Sequence, residues 1–413
     1  MSRGWVSSPN PLVYPLQNFS AQNYGFLFDY ANIVFIFSTF VCTKSIKINR
    51  MKKLILFLGL LFAFFTACRP PSPFEEKMKA CMQTSLQWRN DTTGIWETAG
   101  WWNSANVLTA TIRYAGVSGD QTVLPVIEAV YNQARHYPLG TDSTGVSRYC
   151  DSFINDYYDD EGWWALAWID AYRLTGEKKY LAMAQTIFED MTTGWSERCG
   201  GGIFWKKNPL HYKNSIANNL FSLTASRLYR ATGQTAYLEW FEKNVDWYLH
   251  SGLINTDLYQ VEDGLDDRCQ PNRNAHYTYN QGVALAVLTE MYLQSQDRKY
   301  LDLAEQIAEA TLTRRLVTEN GILREMKPEI AQSNDGVQFK GIFIRHLAFL
   351  YEVTKNPLYK EFIIRNAQSI VSDNYDPSSR SFGCFWQGPF YKANAAANAS
   401  ALECVIEAYN LTK

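Results

Sequence analysis

Apolar positions with helical spacing recur along this chain in pairs of segments separated by a short polar turn. Four of these pairs contain the stretches AYRLTGEKKYLAMAQ, LYRATGQTAYLEWFE, MYLQSQDRKYLDLAE and LYEVTKNPLYKEFII. In each pair one helix ends at the turn, and the next begins beside a tyrosine that we expect to be buried. These tyrosines, Tyr180, Tyr237, Tyr300 and Tyr359, are 57, 63 and 59 residues apart, which indicates a repeated helical hairpin.

The number of repeats predicts the architecture. Residues 73–413 hold 341 positions, enough for six hairpins of about 57 residues each. Stacked hairpins form an open solenoid or a closed ring. Six of them favour the ring, so we predict an all-α (α/α)6 barrel, a six-hairpin toroid, as a single catalytic domain. The inner helices are expected to start near Trp102, Asp160, Asn214, Tyr279, Gly336 and Asn394.

One end of the predicted ring collects polar and aromatic side chains. Helices that alternate up and down place all six inner-helix N-termini at that end, and the long loops 196–212 and 262–277 rise around it. Amide groups between aromatic walls are typical of a carbohydrate cleft. The candidate substrate contacts are Trp101, Trp102, Asn103, Trp163, Trp164, Lys213, Asn214, Asn218, Tyr279, Asn280, Gln281 and Lys340.

Two adjacent aspartates, Asp159 and Asp160, begin the second inner helix in YYDDEGWWALAWIDAYRLTG. Capping is one interpretation, because acidic residues favour the first turn of a helix. The surrounding rim favours catalysis, since glycoside hydrolysis needs two carboxyl groups with separated pKa values. We expect the first aspartate to lie at a non-helical entrance. Glu161 is a rival for the acid role, whereas Asp266–Asp267 lie in a loop where catalysis is disfavoured.

The chain resembles glycoside hydrolase family 76, the α-1,6-mannanases, over about residues 75–410. The matching stretches are YYDDEGWWALAWIDAYRLTG, CGGGIFWKK, KNSIANNLFSLTASRLY, YTYNQGVALAVL and FKGIFIRHLAFL. The resemblance implies an endo-acting, retaining cleavage of α-1,6-mannan without a cofactor, with Asp159 as nucleophile and Asp160 as general acid/base. It also implies substrate contacts at Trp102–Asn103, Lys213–Asn214, Tyr279–Gln281 and Lys340.

Other functions stay open at this stage. A transglycosidase of the same family would use the same two aspartates. A surface glycan-binding lipoprotein would keep the aromatic cleft, although the intact aspartates argue against a decayed site. An unsaturated-uronide hydrolase or a sugar epimerase could share the barrel, but an epimerase needs histidines at the inner-helix ends, and only His346 lies within a predicted inner helix. We expect a monomer that binds α-1,6-linked mannan or manno-oligosaccharides.

Composition narrows the partners further. Lys and Arg number 39 against 41 Asp and Glu, so the formal charge is −2 and a nucleic-acid partner is not expected. Aromatic residues make up 15% of the chain, which suits sugar stacking as well as core packing. The cysteines show no CxxC spacing and the histidines do not cluster, so no metal site is expected. Sequence cannot pair the cysteines, and we expect most to be free core residues.

The N-terminal residues carry the pattern of an export signal. The stretch MKKLILFLGLLFAFFTAC, from Met51, has a charged start, a short apolar run and a lipobox-like end, which predicts a lipoprotein signal over 51–68 with lipidation at Cys68. Residues 1–50 are interpreted as an over-long start. The apolar runs 31–43 and 54–66 are too short for a transmembrane hairpin. We expect an exported outer-membrane lipoprotein, facing the periplasm or the cell surface.

Overall fold

Helices make up most of the computed structural model, which describes residues 72–141, 147–208, 211–273 and 276–413. In chain order they are α1 Glu75–Gln87, α2 Trp101–Ser118, α3 Leu124–Ala134, α4 Tyr158–Thr175, α5 Lys178–Thr192, α6 Ser215–Thr232, α7 Thr235–His250, α8 Thr278–Ser295, α9 Arg298–Thr313, α10 Pro328–Ala331, α11 Gly336–Thr354, α12 Pro357–Asp373 and α13 Ala395–Thr412. Two short 3-10 turns, Gln121–Val123 and Arg198–Gly200, accompany them.

Six helices form a closed inner ring. Helices α2, α4, α6, α8, α11 and α13 each pack on the next, and α13 packs on α2. Their apolar and small residues are buried almost all round, as the Ala-rich sequences predict. The all-α six-hairpin barrel is therefore confirmed, and each inner helix begins within two residues of its expected start.

Six further helices surround this ring. Helices α3, α5, α7, α9 and α12 each follow an inner helix and pack against it, while the sixth outer helix, α1, packs on α13. The sixth pair therefore joins the two ends of the barrel. Three of the four repeat tyrosines are buried as expected, but Tyr300 is only partly buried.

Close packing explains glycines inside the inner helices. A Cβ atom at Gly282 would lie 2.6 Å from the Phe343 Cα atom on the next helix. At Gly341 it would lie equally close to the Ser400 Cα atom. Neither distance is sterically possible, so these two positions allow α8, α11 and α13 to approach each other backbone to backbone.

Short strands occur in the connections between helices. The ladders are all two-stranded and antiparallel: β1 Pro138–Thr141 with β2 Ser147–Tyr149, β3 Lys213–Asn214 with β6 Gly264–Leu265, β4 Ile254–Asn255 with β5 Gln260–Val261, and β7 Tyr375–Asp376 with β8 Ser381–Phe382. In the β3–β6 ladder Lys213 pairs with Leu265 and Asn214 with Gly264, which joins the two long loops predicted to surround the cleft.

A disulfide joins the same two loops. It links Cys199 to Cys269 across 70 residues of sequence. Cys81, Cys150, Cys384 and Cys404 are free and buried, so most of the described cysteines are core residues as expected.

The predicted signal segment and Cys68 lie outside the described residues. Among the helices that are described, none is long and apolar enough to cross a membrane. The export and lipidation expectations therefore stay predictions.

Candidate active site

The acidic pair lies in the first turn of α4. Tyr157 is the last extended residue before the helix, with φ −121° and ψ 117°. Asp159 and Asp160 are the second and third helical residues, so the expected non-helical entrance is wrong. Successive helical residues point about 100° apart, so the two carboxyl groups diverge from the same turn. Both side chains keep partial exposure.

Each aspartate is held by its own neutral donor. Trp205 Nε1 donates to Asp159 Oδ2 at 2.9 Å, and the Asp160 amide donates to Asp159 Oδ1 at 3.1 Å. Asn155 Nδ2 donates to Asp160 Oδ2 at 2.7 Å. Asn155 is itself fixed, because its Oδ1 accepts from the Tyr157 amide at 2.8 Å. The pair is therefore oriented from two sides without a direct bond between the carboxyl groups.

The surroundings separate the two acids. Burial raises the pKa of Asp159 to about 7, against the opposing hydrogen bonds from Trp205 and the Asp160 amide. Burial also raises the pKa of Asp160 well above its usual range, and the charges of Asp159 and Asp335 add to this shift. The hydrogen bonds to Asp159 favour its ionised form, whereas the negative charges near Asp160 favour its protonated form, as an acid beside an ionisable nucleophile requires.

Glu161 lies behind the pair and not in the cleft. Its side chain is fully buried, and its Oε1 atom is 2.7 Å from Lys207 Nζ. Lys207 Nζ is also 2.6 Å from Asp190 Oδ2. Burial raises the pKa of Glu161, and the charge and hydrogen bond of Lys207 oppose this shift by stabilising the ionised carboxyl. This carboxyl is committed to a buried ion pair, so Glu161 loses its standing as a rival acid.

The second acidic pair closes a surface turn. Asp266 Oδ1 accepts from the amides of Arg268 and Gln270 at 2.8 and 2.9 Å. Asp267 is exposed and pairs with Arg198 at 3.2 Å. Both carboxylates therefore have structural partners in the loop, as its sequence favoured.

Aromatic rings form one wall beside the acids. Trp102 lies over Trp163 with ring centroids 5.8 Å apart, and its Nε1 donates to Asp335 Oδ1 at 2.7 Å. Tyr279 stacks on Phe339 at 4.0 Å with nearly parallel rings. Burial, with the nearby charge of Asp159 among the smaller causes, raises the pKa of Tyr279. Indole and phenol faces thus stand close to the carboxyl pair.

Among the residues that the structure describes, no three His, Cys, Asp or Glu side chains are arranged to hold a metal ion.

Known proteins share both the sequence pattern and the barrel. A model of glycosyl hydrolase family 76 matches residues 75–413. The chain belongs to this family. A mannan endo-1,6-alpha-mannosidase of Candida albicans is 26% identical to it over 264 residues, which are 60% of this chain and 57% of that relative. The match thus spans little more than half the length of this curated relative.

Solved structures share the fold over nearly their whole length. An inactive variant of a Salegentibacter α-1,6-mannanase, with two consecutive aspartates replaced by alanine, was solved with α-1,6-mannotetrose. It is 22% identical, with a TM-score of 0.73, and the match covers 82% of this chain and all of that one. A Listeria innocua protein is 27% identical, with a TM-score of 0.70 and coverages of 83% and 98%.

Lys213 is one of the contacts that the family 76 resemblance implied, and its placement is different. Its side chain is 1% exposed. The ammonium donates to the backbone carbonyls of Ser196, Arg198, Gly201 and Gly202 at 2.5 to 2.8 Å. Lys213 therefore holds one of the cleft loops in place through its backbone carbonyls. The prediction that Lys213 contacts substrate directly is corrected, and its role is indirect.

Three predicted substrate contacts with amide side chains form hydrogen bonds to the protein backbone. Asn218 accepts from the Ile203 amide and donates to the Ile203 carbonyl, at 2.8 and 3.0 Å. Gln281 makes the same two bonds with Val261, at 2.8 and 3.0 Å. Asn214 caps α6 by accepting from the third helical amide. Asn218 and Gln281 use both the oxygen and the nitrogen of their amides in the fold, so the prediction that these two contact substrate is corrected, while the substrate contact of Asn214 stays a prediction.

Four more predicted contacts are buried. Lys340 is 1% exposed and donates to the Cys384 carbonyl at 3.0 Å. Trp164 is fully buried in the core, and Asn103 and Asn280 are 2% and 0% exposed. The predicted residues that keep partial exposure beside the acids are Trp101, Trp102 and Tyr279, with Trp163 buried beneath Trp102.

The sequence interpretation missed three polar partners of the site. Asn155 and Trp205 donate to the acids, and Asp335 accepts from Trp102. Trp205 lies inside the family 76 stretch CGGGIFWKK, so a signal for it was present. Asp335 had no such signal, because it lies 233 residues from Trp102 in the sequence.

Proposed function

We propose that this protein is an endo-acting, retaining glycoside hydrolase that cleaves α-1,6-mannosidic bonds of a mannan backbone. One observation carries the proposal: Asp159 and Asp160 share a helix turn near stacked indole and phenol rings, and a separate side-chain donor holds each carboxyl group. The name of the Candida relative and the bound mannotetrose of the Salegentibacter enzyme support the substrate. That enzyme's inactive double-aspartate variant supports the catalytic pair.

In the first step, Asp159 attacks the anomeric carbon while Asp160 protonates the departing glycosidic oxygen, and a glycosyl-enzyme forms. Trp205 and the Asp160 amide stabilise the ionised Asp159 before the attack. In the second step, Asp160 takes a proton from water, which attacks the same carbon and releases Asp159. Trp102 and Tyr279 offer faces on which mannose rings stack.

Replacing each aspartate by asparagine tests these roles. Asp159→Asn should abolish turnover of both unbranched α-1,6-mannan and an activated aryl mannoside, because no glycosyl-enzyme forms. Asp160→Asn should lose mannan cleavage but keep part of its activity on the activated substrate, which needs little protonation. Asp266→Asn, in the surface turn, is the matched control and should behave like the parent.

Product analysis completes this test. Short α-1,6 oligosaccharides released from the mannan by the parent indicate endo cleavage, whereas mannose alone contradicts it. Longer products that appear when an oligosaccharide acceptor is added would indicate transglycosylation through the same intermediate. Near-parent turnover of mannan by both aspartate variants would overturn the assignment.

We also propose that the protein is exported and anchored by a lipid on Cys68. The signal-like residues 51–68 support this location, and so does the Cys199–Cys269 disulfide, because such bonds persist in oxidising compartments. In a chain that begins at Met51, Cys68→Ala should release soluble exported protein, while the parent stays in the membrane fraction. Equal partitioning of the two would remove the anchor.

A further inference from the structure

A short segment runs beside the residues that lead into α4. The Tyr158 amide donates to the Trp205 carbonyl at 3.0 Å, and the Lys207 amide donates to the Asp156 carbonyl at 2.9 Å. Between them Tyr157 and Lys206 form an antiparallel bridge. Residues 205–207 therefore lie along the entrance of the helix that carries the acidic pair.

A buried ion pair fixes this segment at one end. Lys207 reaches under the helix to Glu161, at 2.7 Å, and to Asp190 on α5, at 2.6 Å. Glu161 Oε1 also accepts from the Asn155 amide at 3.3 Å. Glu161 therefore contacts both segments that supply hydrogen-bond donors to the acidic pair. Lys207 lies two residues after Trp205, which donates to Asp159, and Asn155 itself donates to Asp160.

We propose that Glu161 and Lys207 form a positioning pair that sets how Trp205 holds Asp159 and how Asn155 holds Asp160. The proposal rests on the proposed function of the two aspartates. Neither member of the pair touches the carboxyl groups that react, and both act through the indole and the amide. Catalytic geometry tolerates little displacement of a nucleophile, so the register of residues 205–207 is part of the active site.

A structural role alone would have a different signature. A buried charge that loses its partner destabilises any protein, wherever it lies. A positioning role also requires that the Trp205 indole stay within hydrogen-bond distance of Asp159. These two effects separate when both members of the pair are replaced by neutral residues. The fully buried Glu161 charge is then absent, Asp190 keeps 27% of its side chain exposed to solvent, and the tether is still missing.

The variants Lys207→Met, Lys207→Arg and Lys207→Met/Glu161→Gln make this separation. Lys179→Met is the matched control, because it breaks the Lys179–Glu128 ion pair between two outer helices. For each variant the melting temperature, kcat and KM on α-1,6-mannan, and the pH profile of kcat/KM are measured. A titration of 13C-labelled aspartate by NMR follows the Asp159 carboxyl without substrate.

Lys207→Met should melt earlier and lose between about ten- and a hundredfold in kcat, with little change in KM. Its Asp159 carboxyl should titrate at higher pH, because a weaker indole hydrogen bond stabilises the ionised form less. Asp160, Asp335 and Tyr279 interact electrostatically with the same carboxyl and are unchanged in every variant. The double variant should regain the melting temperature but not kcat, and Lys207→Arg should keep most of both.

Recovery of kcat together with the melting temperature in the double variant would overturn the proposal. So would a kcat loss in Lys207→Met no larger than that in Lys179→Met, or an unchanged Asp159 titration. A parent protein that does not cleave α-1,6-mannan would instead contradict the proposed function. In that case the NMR titration of Asp159 would still test whether Glu161 and Lys207 act as a positioning pair.

Discussion

At the residue scale, Asp159 and Asp160 show how one position can satisfy both a helix and a reaction. Asp159 Oδ1 accepts a first-turn amide, as an acidic residue near a helix N-terminus commonly does. The helix dipole favours the ionised form, yet burial outweighs it and raises the pKa of both acids. Capping therefore accounts for one hydrogen bond of Asp159, and the burial of the pair accounts for the raised pKa values.

The pH dependence of turnover follows from these two acids. We expect kcat/KM to fall below about pH 7 as Asp159 becomes protonated, and to fall at high pH as Asp160 loses its proton. On the activated aryl mannoside, Asp160→Asn should keep the acid limb and lose the alkaline one. Initial rates between pH 4 and pH 10, a range of about six units around these limbs, measure both. An alkaline limb that survives in the variant would assign it to another group.

Stability should depend on Asp159 in the opposite sense to activity. Its pKa is higher in the folded protein, so the native state binds more protons between about pH 4 and pH 7, and stability falls as pH rises through that window. Asp159→Asn removes this loss and should raise the unfolding free energy at pH 8 by roughly 1–3 kcal/mol. At pH 4 the gain should disappear.

Denaturant melts of the parent, Asp159→Asn and the surface control Asp266→Asn at both pH values make this comparison. If Asp159→Asn gains nothing at pH 8 over pH 4, burial does not strain this carboxyl in the folded protein.

At the element scale, sequence periodicity was sufficient for the helices and insufficient for the rim. Helix positions depend on local spacing of apolar residues, which the chain displays directly. The function of an amide depends on what lies opposite it, and the backbone partners of Asn218 and Gln281 are 15 and 20 residues away. A side-chain amide that bonds to a loop and one that binds a sugar look the same in sequence. The sequence therefore predicts substrate contacts for the rim amides as a group.

The glycine run before Trp205 has a similar explanation. A Cβ atom at Gly202 would lie 2.5 Å from the Trp247 ring, and its φ of +82° is left-handed. The loop can therefore pass over this indole and present its carbonyls to Lys213. The sequence CGGGIFWKK suggested a cleft loop, but only the fold shows that its glycines are needed for packing.

Lys213→Met tests whether this lysine builds the loop. Removing the ammonium takes a donor from four loop carbonyls, of which those of Arg198 and Gly202 keep a backbone amide, so we expect a loss of roughly 3 kcal/mol in unfolding free energy. KM of the folded fraction should change little. Lys243→Met, which replaces an exposed lysine over the Trp195 ring, is the control and should melt like the parent. A raised KM with an unchanged melting curve would restore the substrate contact.

At the scale of the whole molecule, the ring depends on contact between its two ends. The inner helix α13 closes the ring against α2, and its outer partner is α1, the first helix described. Asn398 of α13 donates to the Cys81 carbonyl of α1 at 3.1 Å. A closed ring has no terminal repeat to cap it, so each hairpin needs both neighbours. Stability is therefore shared around the barrel and not carried by one hairpin.

Shortening the chain from its N-terminus tests this closure. A chain that begins at residue 72 keeps α1 and should fold and cleave like the parent. One that begins at residue 89 loses the buried Cys81 and also Phe74, Met78 and Met82, which are each worth about 1.5–3 kcal/mol on burial. We expect this shorter chain to lose its cooperative thermal transition by circular dichroism. A peptide of residues 72–88 added in trans should restore part of it, because the missing helix packs on an existing surface of α13. If the shorter chain melts as cooperatively as the longer one, the barrel does not need its sixth outer helix and behaves as an open stack of hairpins.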